Sequence, residues 1–204
     1  MKTPIDSKEK FAEDWEAYYD AIANRPPRNT LLKALKGFKT PGLALDLGCG
    51  DGRDTVELLR CGWEVLAVDA QPEAIARLLD RTDIDPARLK TQVERFETFA
   101  FPNNIDLINA SFSLPFSSPL EFPRIWAGIV AALSPGGRFC GHFFGERDSW
   151  AAKGWIHPQT RSQIEQLLQF FTVEMLEEEE HPGTTPLGEE RDWHIFHVVA
   201  RKPQ

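Results

Sequence analysis

The chain has 204 residues, 42% apolar and 26% charged, which suits one domain with a sizeable core and excludes a disordered chain. Its net charge of −8 weighs against nucleic acid or an anionic membrane surface as the main partner. No apolar run reaches the ~20 residues of a membrane span.

Residues 7–23 read as a helix capped by Ser7, with Phe11, Trp15, Tyr18, Tyr19 and Ile22 on one face. Arg25-Pro26-Pro27 breaks it, and a second helix is expected over about 29–37, with Leu31, Leu32 and Leu35 inward. Leu43 to Leu47 is apolar on both faces, as in a central parallel strand covered by helices on both sides. A loop with glycine at 48, 50 and 52 follows, then a helix over about 53–60 that Gly62 ends. A strand over 64–68 stops at Asp69, and Pro72 opens a helix with Ala74, Ile75, Leu78 and Leu79 as its buried stripe.

Strands are expected over 89–93 and 105–110, with Phe99, Phe101 and Pro102 as loop packing between them. Pro119 or Pro123 opens a helix carrying Ile125, Trp126, Ile129, Val130 and Leu133. Leu133-Ser-Pro-Gly-Gly137 reads as a turn, followed by a strand over 138–144 and a long loop over 145–157. Trp150, Trp155 and Arg147 in that loop are candidates to shape a pocket. A helix over 158–168, a strand over 171–178, a loop over 181–188 and a last strand over 193–201 complete the chain. Glu177 to Glu180 reads as a solvated strand end. The pattern is an α/β sheet whose last two strands, with no helix between them, form an antiparallel hairpin.

The glycine loop carries the chemistry. Alternating glycines let bare backbone lie against a ligand at the amino end of a helix. A dinucleotide fingerprint reads G-x-G-x-x-G, but here the last glycine comes one position early and Arg53 holds its place. Asp46 and Asp51 flank the loop; carboxylates repel a pyrophosphate and favour a cationic or zwitterionic ligand. Asp69 lies 23 residues after Asp46, near the ~20-residue interval of an acid that grips ribose hydroxyls. In a doubly wound sheet the strand ending at Ala110 meets the same crevice, which places Ser111, Phe112 and Leu114 beside a ligand.

Asp46-Leu-Gly-Cys-Gly-Asp-Gly52 resembles the first motif of class I S-adenosylmethionine-dependent methyltransferases. The likeness continues through Gly52-Arg-Asp-Thr55 and Gly62-Trp-Glu-Val-Leu-Ala-Val-Asp69, and Trp193 to Lys202 is like the last strand of the tellurite and small-molecule branch. It implies a Rossmann-like, seven-stranded, mostly parallel sheet with helices on both faces. The cofactor would be S-adenosylmethionine, held by Asp46, Gly48, Cys49, Gly50, Gly52, Arg53, Asp69, Ala70, Arg95, Phe96, Asn109 and Ser111. Arg95 stands where the family's adenine-binding acid is expected, with Glu94 one position early, so backbone groups and Phe96 would serve the adenine.

Residues 1–40 read either as a helical cap packed on the domain or, as the resemblance implies, as a helical lid with Trp15 and Tyr19 facing the ligand. Arg28 matches an arginine before the same helix in the tellurite-type enzymes and would hold a carboxylate of cofactor or substrate. Phe112, Leu114 and His142 would border the acceptor, with His142 either a general base or a packed core histidine. Asn109-Ala-Ser-Phe112 lacks the polar-Pro-Pro-aromatic motif of enzymes that methylate adenine in DNA. The expected partner is a small-molecule acceptor, such as a thiol or a tellurium or selenium oxyanion, and the chain a monomer or homodimer. Two other readings stand beside it: a module that binds S-adenosylmethionine without turnover, and a nicotinamide-dependent oxidoreductase, which the glycine spacing and Asp46 oppose.

Cys49, Cys61 and Cys140 form no disulfide framework and read as reduced thiols. Met1 to Asp6 lacks the apolar core of a signal, so a cytoplasmic location is expected. No metal site is expected: His194 and His197, an odd number of residues apart in a strand, point to opposite faces.

Overall fold

Alternation along each strand decides which helices each face of the sheet receives. The computed structural model describes residues 15–22 and 25–204, with side chains from residue 17 onward. The expected helix start at Ser7, and its end at 23, lie outside the described residues. The strands are β1 (Leu43–Leu47), β2 (Glu64–Asp69), β3 (Leu89–Val93), β4 (Ile105–Ala110), β5 (Leu133–Phe144), β6 (Thr172–Thr184) and β7 (Glu190–Arg201). They form a seven-stranded sheet in the order β3-β2-β1-β4-β5-β7-β6. Strands β1 to β5 run parallel, and β7 pairs antiparallel with both β5 and β6. The expected architecture, with its C-terminal hairpin, is present.

The helices are α1 (Trp15–Ile22), α2 (Asn29–Leu35), α3 (Arg53–Arg60), α4 (Pro72–Leu79), α5 (Phe122–Ala132), α6 (Ser149–Ala152) and α7 (Arg161–Leu167). On one face Leu45, Leu47, Ile108, Phe139, Phe143 and Val198 pack with Ile125 and Trp126 of α5 and Ile164 of α7. On the other, Ala44, Ala67, Leu107, Cys140 and Val199 pack with Leu31 of α2, Leu58 of α3 and Leu78 of α4. Asp46, Asn109 and His142 share the parity of Ala44, Leu107 and Cys140, so they face α2 and α3. The register sets Asp46 beside Asn109 and Asn109 beside Cys140. Three polar residues are thereby drawn to the switch point, where the chain leaves β1 for β2 on one side and β4 lies on the other.

Several boundaries differ from expectation. Strand β5 begins at Leu133, not 138: Ser134 to Gly137 loops out between the pairs Ile105–Leu133 and Leu107–Arg138, with Gly136 N–H donating to Lys202 O at 3.0 Å. The 181–188 loop is shorter than expected, since β6 runs on to Thr184 and β7 starts at Glu190. Glu177 to Glu180 therefore lies mid-strand; β6 is an edge strand, and its side chains stay solvated while the backbone pairs with β7. Helix α7 starts at Arg161 because Thr160 caps it with Gln163 in a reciprocal box, leaving Pro158 outside. Helix α2 stops at Leu35, short of Gly37, and Pro123 rather than Pro119 occupies the first turn of α5.

Candidate cofactor and acceptor site

Gly48, Gly50 and Gly52 have φ of 72°, 55° and 89°, a region that costs an ordinary L-residue about 1–2 kcal/mol. The loop is tied to the end of β2. Gly48 and Cys49 N–H donate to Val68 O at 2.7 and 3.1 Å, and Gly50 N–H donates to Asp69 Oδ2 at 2.9 Å. Asp69 Oδ1 accepts from Gln71 N–H at 2.9 Å. Each carboxylate oxygen keeps a further lone pair for a ligand hydroxyl. Burial raises the Asp69 pKa, while the backbone donors of Gln71, Gly50 and Ala70 oppose the rise. Ala70 is exposed beside it, and Cys49 is buried as small filler, its thiol pushed up by burial.

Beneath the loop lies a polar row. Asp46 is 1% exposed; Thr55 Oγ1 donates to its Oδ2 at 2.5 Å and Asn109 Nδ2 to its Oδ1 at 2.8 Å. Asn109 Nδ2 also reaches Asp54 Oδ2 at 3.1 Å, and Asp54 Oδ1 accepts the Arg28 N–H at 2.9 Å. Burial, then the neighbouring Asp54 charge, pushes Asp46 up to about 7. Asp46 and Asn109 thus brace the loop from below, with Ser111 Oγ donating to Asn109 Oδ1 at 3.0 Å.

The crevice wall is a stack. Phe112 has φ of 57°, the Arg28 guanidinium sits 4.3 Å from its ring centroid, and the His142 ring lies parallel at 3.9 Å. Arg28 makes no ion pair among the described residues, and burial with the nearby Arg53 charge lowers it to about 10. His142 is buried with Nδ1 unpartnered among the described residues, and burial holds its pKa well below the usual imidazole range. Leu114, expected at the ligand, is fully buried in the α5 face of the core. Phe96 approaches Gly48: a Cβ there would stand 3.3 Å from Phe96 Cζ. Arg95 is turned to solvent, 3.5 Å from Glu97.

Helix α1 lies across the loop. Tyr19 is 2% exposed and packs with Ile22 against Ala74 of α4, and Asp20 pairs with Arg77 at 2.7 Å. The Trp15 side chain lies outside the described residues. Two cavities flank α1 at Asp51. One of about 260 Å³ is lined by Tyr19, Arg77 and Arg81, and one of about 240 Å³ by Arg25, Arg53 and Arg60. Neither is lined by Asp69, Gly48 or Phe112.

A family described as a methyltransferase domain matches residues 44–137, the stretch from β1 through the turn that opens β5. Residues 44–137 are thus similar to a methyltransferase domain. Over 97 residues it is 33% identical to hemagglutinin 1 of Eikenella corrodens, covering 48% of this chain and 32% of that protein. The chain spans between about a third and a half of the length of the curated relatives it matches. Among solved structures, TehB of Haemophilus influenzae superposes with a TM-score of 0.74 at 17% identity, over 92% of this chain and 67% of that one. The 1,6-didemethyltoxoflavin-N1-methyltransferase of Burkholderia thailandensis, solved with 1,6-didemethyltoxoflavin and S-adenosylhomocysteine, gives 0.70 at 21% identity, over 100% and 92%.

Beyond the matched stretch, the 145–157 loop is taken up by packing. Asp148 accepts from Arg191 Nε and Nη2 at 3.0 and 2.9 Å, and the pair is buried at 1% and 0% side-chain exposure. The Arg191 guanidinium lies 3.7 Å from the Trp150 ring centroid and 3.8 Å from that of Trp193. Arg147 spends its guanidinium on Glu178 and Glu180. His194 meets Glu178 and His197 meets Glu179, one on each face of β7.

Sequence reading missed Asp54, Thr55 and Ser113. Ser113 Oγ donates to Leu47 O at 2.6 Å and fills the space a Gly48 side chain would need, its Cβ 2.3 Å from an added Cβ. An acid in a helix's first turn ordinarily signals only a favourable dipole contact, so Asp54 gave no sign of burial. The strand parity that carries Asp46 and Asn109 toward α3 was the available clue.

Proposed function

We propose that the chain transfers a methyl group from S-adenosylmethionine to a small molecule. The observation that carries this is the contact of Gly50 N–H with Asp69 Oδ2 at 2.9 Å. It ties a positive-φ glycine loop to a carboxylate at the end of the next strand, an arrangement for a nucleoside without phosphates. A pyrophosphate on the same turn would meet Asp46, Asp51 and Asp69. Gly48 to Gly52 would receive the amino-acid part of the cofactor, Asp69 the ribose hydroxyls, and Ala70 and Phe96 the adenine.

The sulfonium is already an activated donor, so the protein's task is alignment and exclusion of water. Acceptor nucleophile, methyl carbon and sulfur must lie in line; the methyl–sulfur bond breaks as the new bond forms, and its electron pair stays on sulfur. Arg28, cationic and without an ion pair among the described residues, suits a carboxylate of cofactor or acceptor beside Phe112. Helix α1 would act as a lid. A soft acceptor, such as a thiolate or a tellurium or selenium oxyanion, needs no base, which fits the neutral, buried His142.

The test is transfer from labelled S-adenosylmethionine to a panel of thiols, oxyanions and small nitrogen heterocycles. Labelled product supports the reading. Binding without transfer to any acceptor would favour a cofactor-holding module, a reading that the seating of Tyr19 over the loop also suits. No binding at all would overturn both.

A further inference from the structure

In the first turn of α3, Asp54 is buried at 4% exposure and its two oxygens face different elements. Oδ1 accepts the Arg28 N–H, in the connector before α2, at 2.9 Å, and Oδ2 accepts the Asn109 amide of β4 at 3.1 Å. The same amide nitrogen donates to Asp46 of β1 at 2.8 Å. Its orientation is not free, because Asn109 Oδ1 already accepts from Ser111 Oγ at 3.0 Å and Cys140 Sγ at 3.4 Å. Both amide hydrogens therefore go to carboxylates, and a single side chain in α3 joins the connector to the strands on either side of the switch point.

We propose that Asp54 is a positioning residue of the cofactor site: it holds the Arg28 connector and the Asn109 amide in place and sets its own carboxylate beside Asp46 under the loop. The proposal rests on the reading that the glycine loop holds S-adenosylmethionine. Around Asp46 stand Asp54 and Thr55 of α3, Asn109 of β4, Asp69 at the end of β2, Cys49 of the loop and Cys140 of β5. Arg28 and Arg53 face Asp54 from the connector and the helix start. A second carboxylate on the same amide, in a water-poor place, opposes the ionisation of Asp46. Asp54 thus raises the pH at which Asp46 acquires its charge, and that charge lies directly under the loop.

Asn at 54 removes the charge and nearly keeps the shape. Its single oxygen replaces one of two acceptors, and its amino group must then oppose either the Arg28 N–H or the Asn109 amide.

The experiment measures S-adenosylhomocysteine affinity by calorimetry across the pH range 5 to 9 for the wild type, Asp54→Asn and Asp54→Ser, with folding checked by thermal melts. Wild-type affinity should rise with pH through about 7, where Asp46 ionises under the ligand's ammonium group. In Asp54→Asn that midpoint should move to lower pH, and affinity at pH 8 should weaken about tenfold. A weakening that is equal at every pH, with the midpoint unmoved, overturns the proposal, as does wild-type affinity in both variants. If the wild type binds no S-adenosylhomocysteine, the cofactor reading fails instead. Carboxyl-carbon NMR titration of Asp46 in wild type and Asp54→Asn then decides this proposal alone: a downward shift supports it, and an unchanged titration overturns it.

Discussion

The Tyr19 ring lies over Gly50: a side chain at 50 would begin 3.4 Å from Tyr19 Cε1. A ligand that reaches the glycine loop must pass beneath that ring or displace it. Seating an aromatic ring contributes ~1.5–3 kcal/mol, so Tyr19→Ala should speed S-adenosylhomocysteine dissociation by about tenfold or more. The check is stopped-flow release, with hydrogen exchange at Gly48 and Gly50 rising in the free variant. Equal release rates would show that α1 is not a cover.

Asp46→Asn addresses the buried acid. In the folded chain Asp46 ionises at about 7, against an ordinary value of 3.8. The folded state therefore holds this proton more tightly than the unfolded chain does. The stability this confers is fully present below 3.8 and is lost as pH rises through about 7. Asparagine keeps its proton-bearing group at every pH: it can accept from Asn109 and donate to the Thr55 hydroxyl. The melting temperature of Asp46→Asn, measured against wild type, should climb in the variant's favour between about pH 4 and about pH 7 and then level off. A constant difference would mean that Asp46 is not protonated in the fold.

At the proposed ligand contacts, Gly50→Val and Asp69→Ala should each weaken S-adenosylmethionine binding while the fold survives. Valine meets both the positive φ of 55° and the Tyr19 ring, and alanine removes the acceptor that organises Gly50 and Gln71. Calorimetry should show losses of about tenfold or more. Unchanged affinity in both would count against the cofactor site.

Arg191→Met tests the buried pair with Asp148. Removing one partner of such a pair strands the other charge and typically costs about 3–5 kcal/mol. Chemical denaturation should show a loss of that order, whereas Arg147→Met, on an exposed ion pair, should leave stability nearly unchanged.

The loop and its strand were legible because their signals are local. Glycine spacing, a following helix and an acid at the end of the next strand all appear in the linear order of residues. Helix α1's seat was not, because which side of Tyr19 is covered depends on α4, a distant part of the chain. Asp54 was hidden for the same reason. Strand β6 was read too short because its stretch from Glu177 to Pro182 is exposed on both faces, so no apolar alternation marks it. Leu114 was read toward the ligand from its place after β4, but the helical turn at Leu114–Phe116 rotates it inward.

The outer margin of the sheet is carried by β6 alone, with Glu177, Glu178, Glu179 and Glu180 in succession. A second extended chain laid along that margin would find open backbone groups beside a row of four acids, of which Glu178 and Glu180 already share Arg147. Negative charge along this side therefore discourages copies of the sheet from pairing there. Acid or high salt, which remove that barrier, are the conditions under which unwanted strand-to-strand growth should begin.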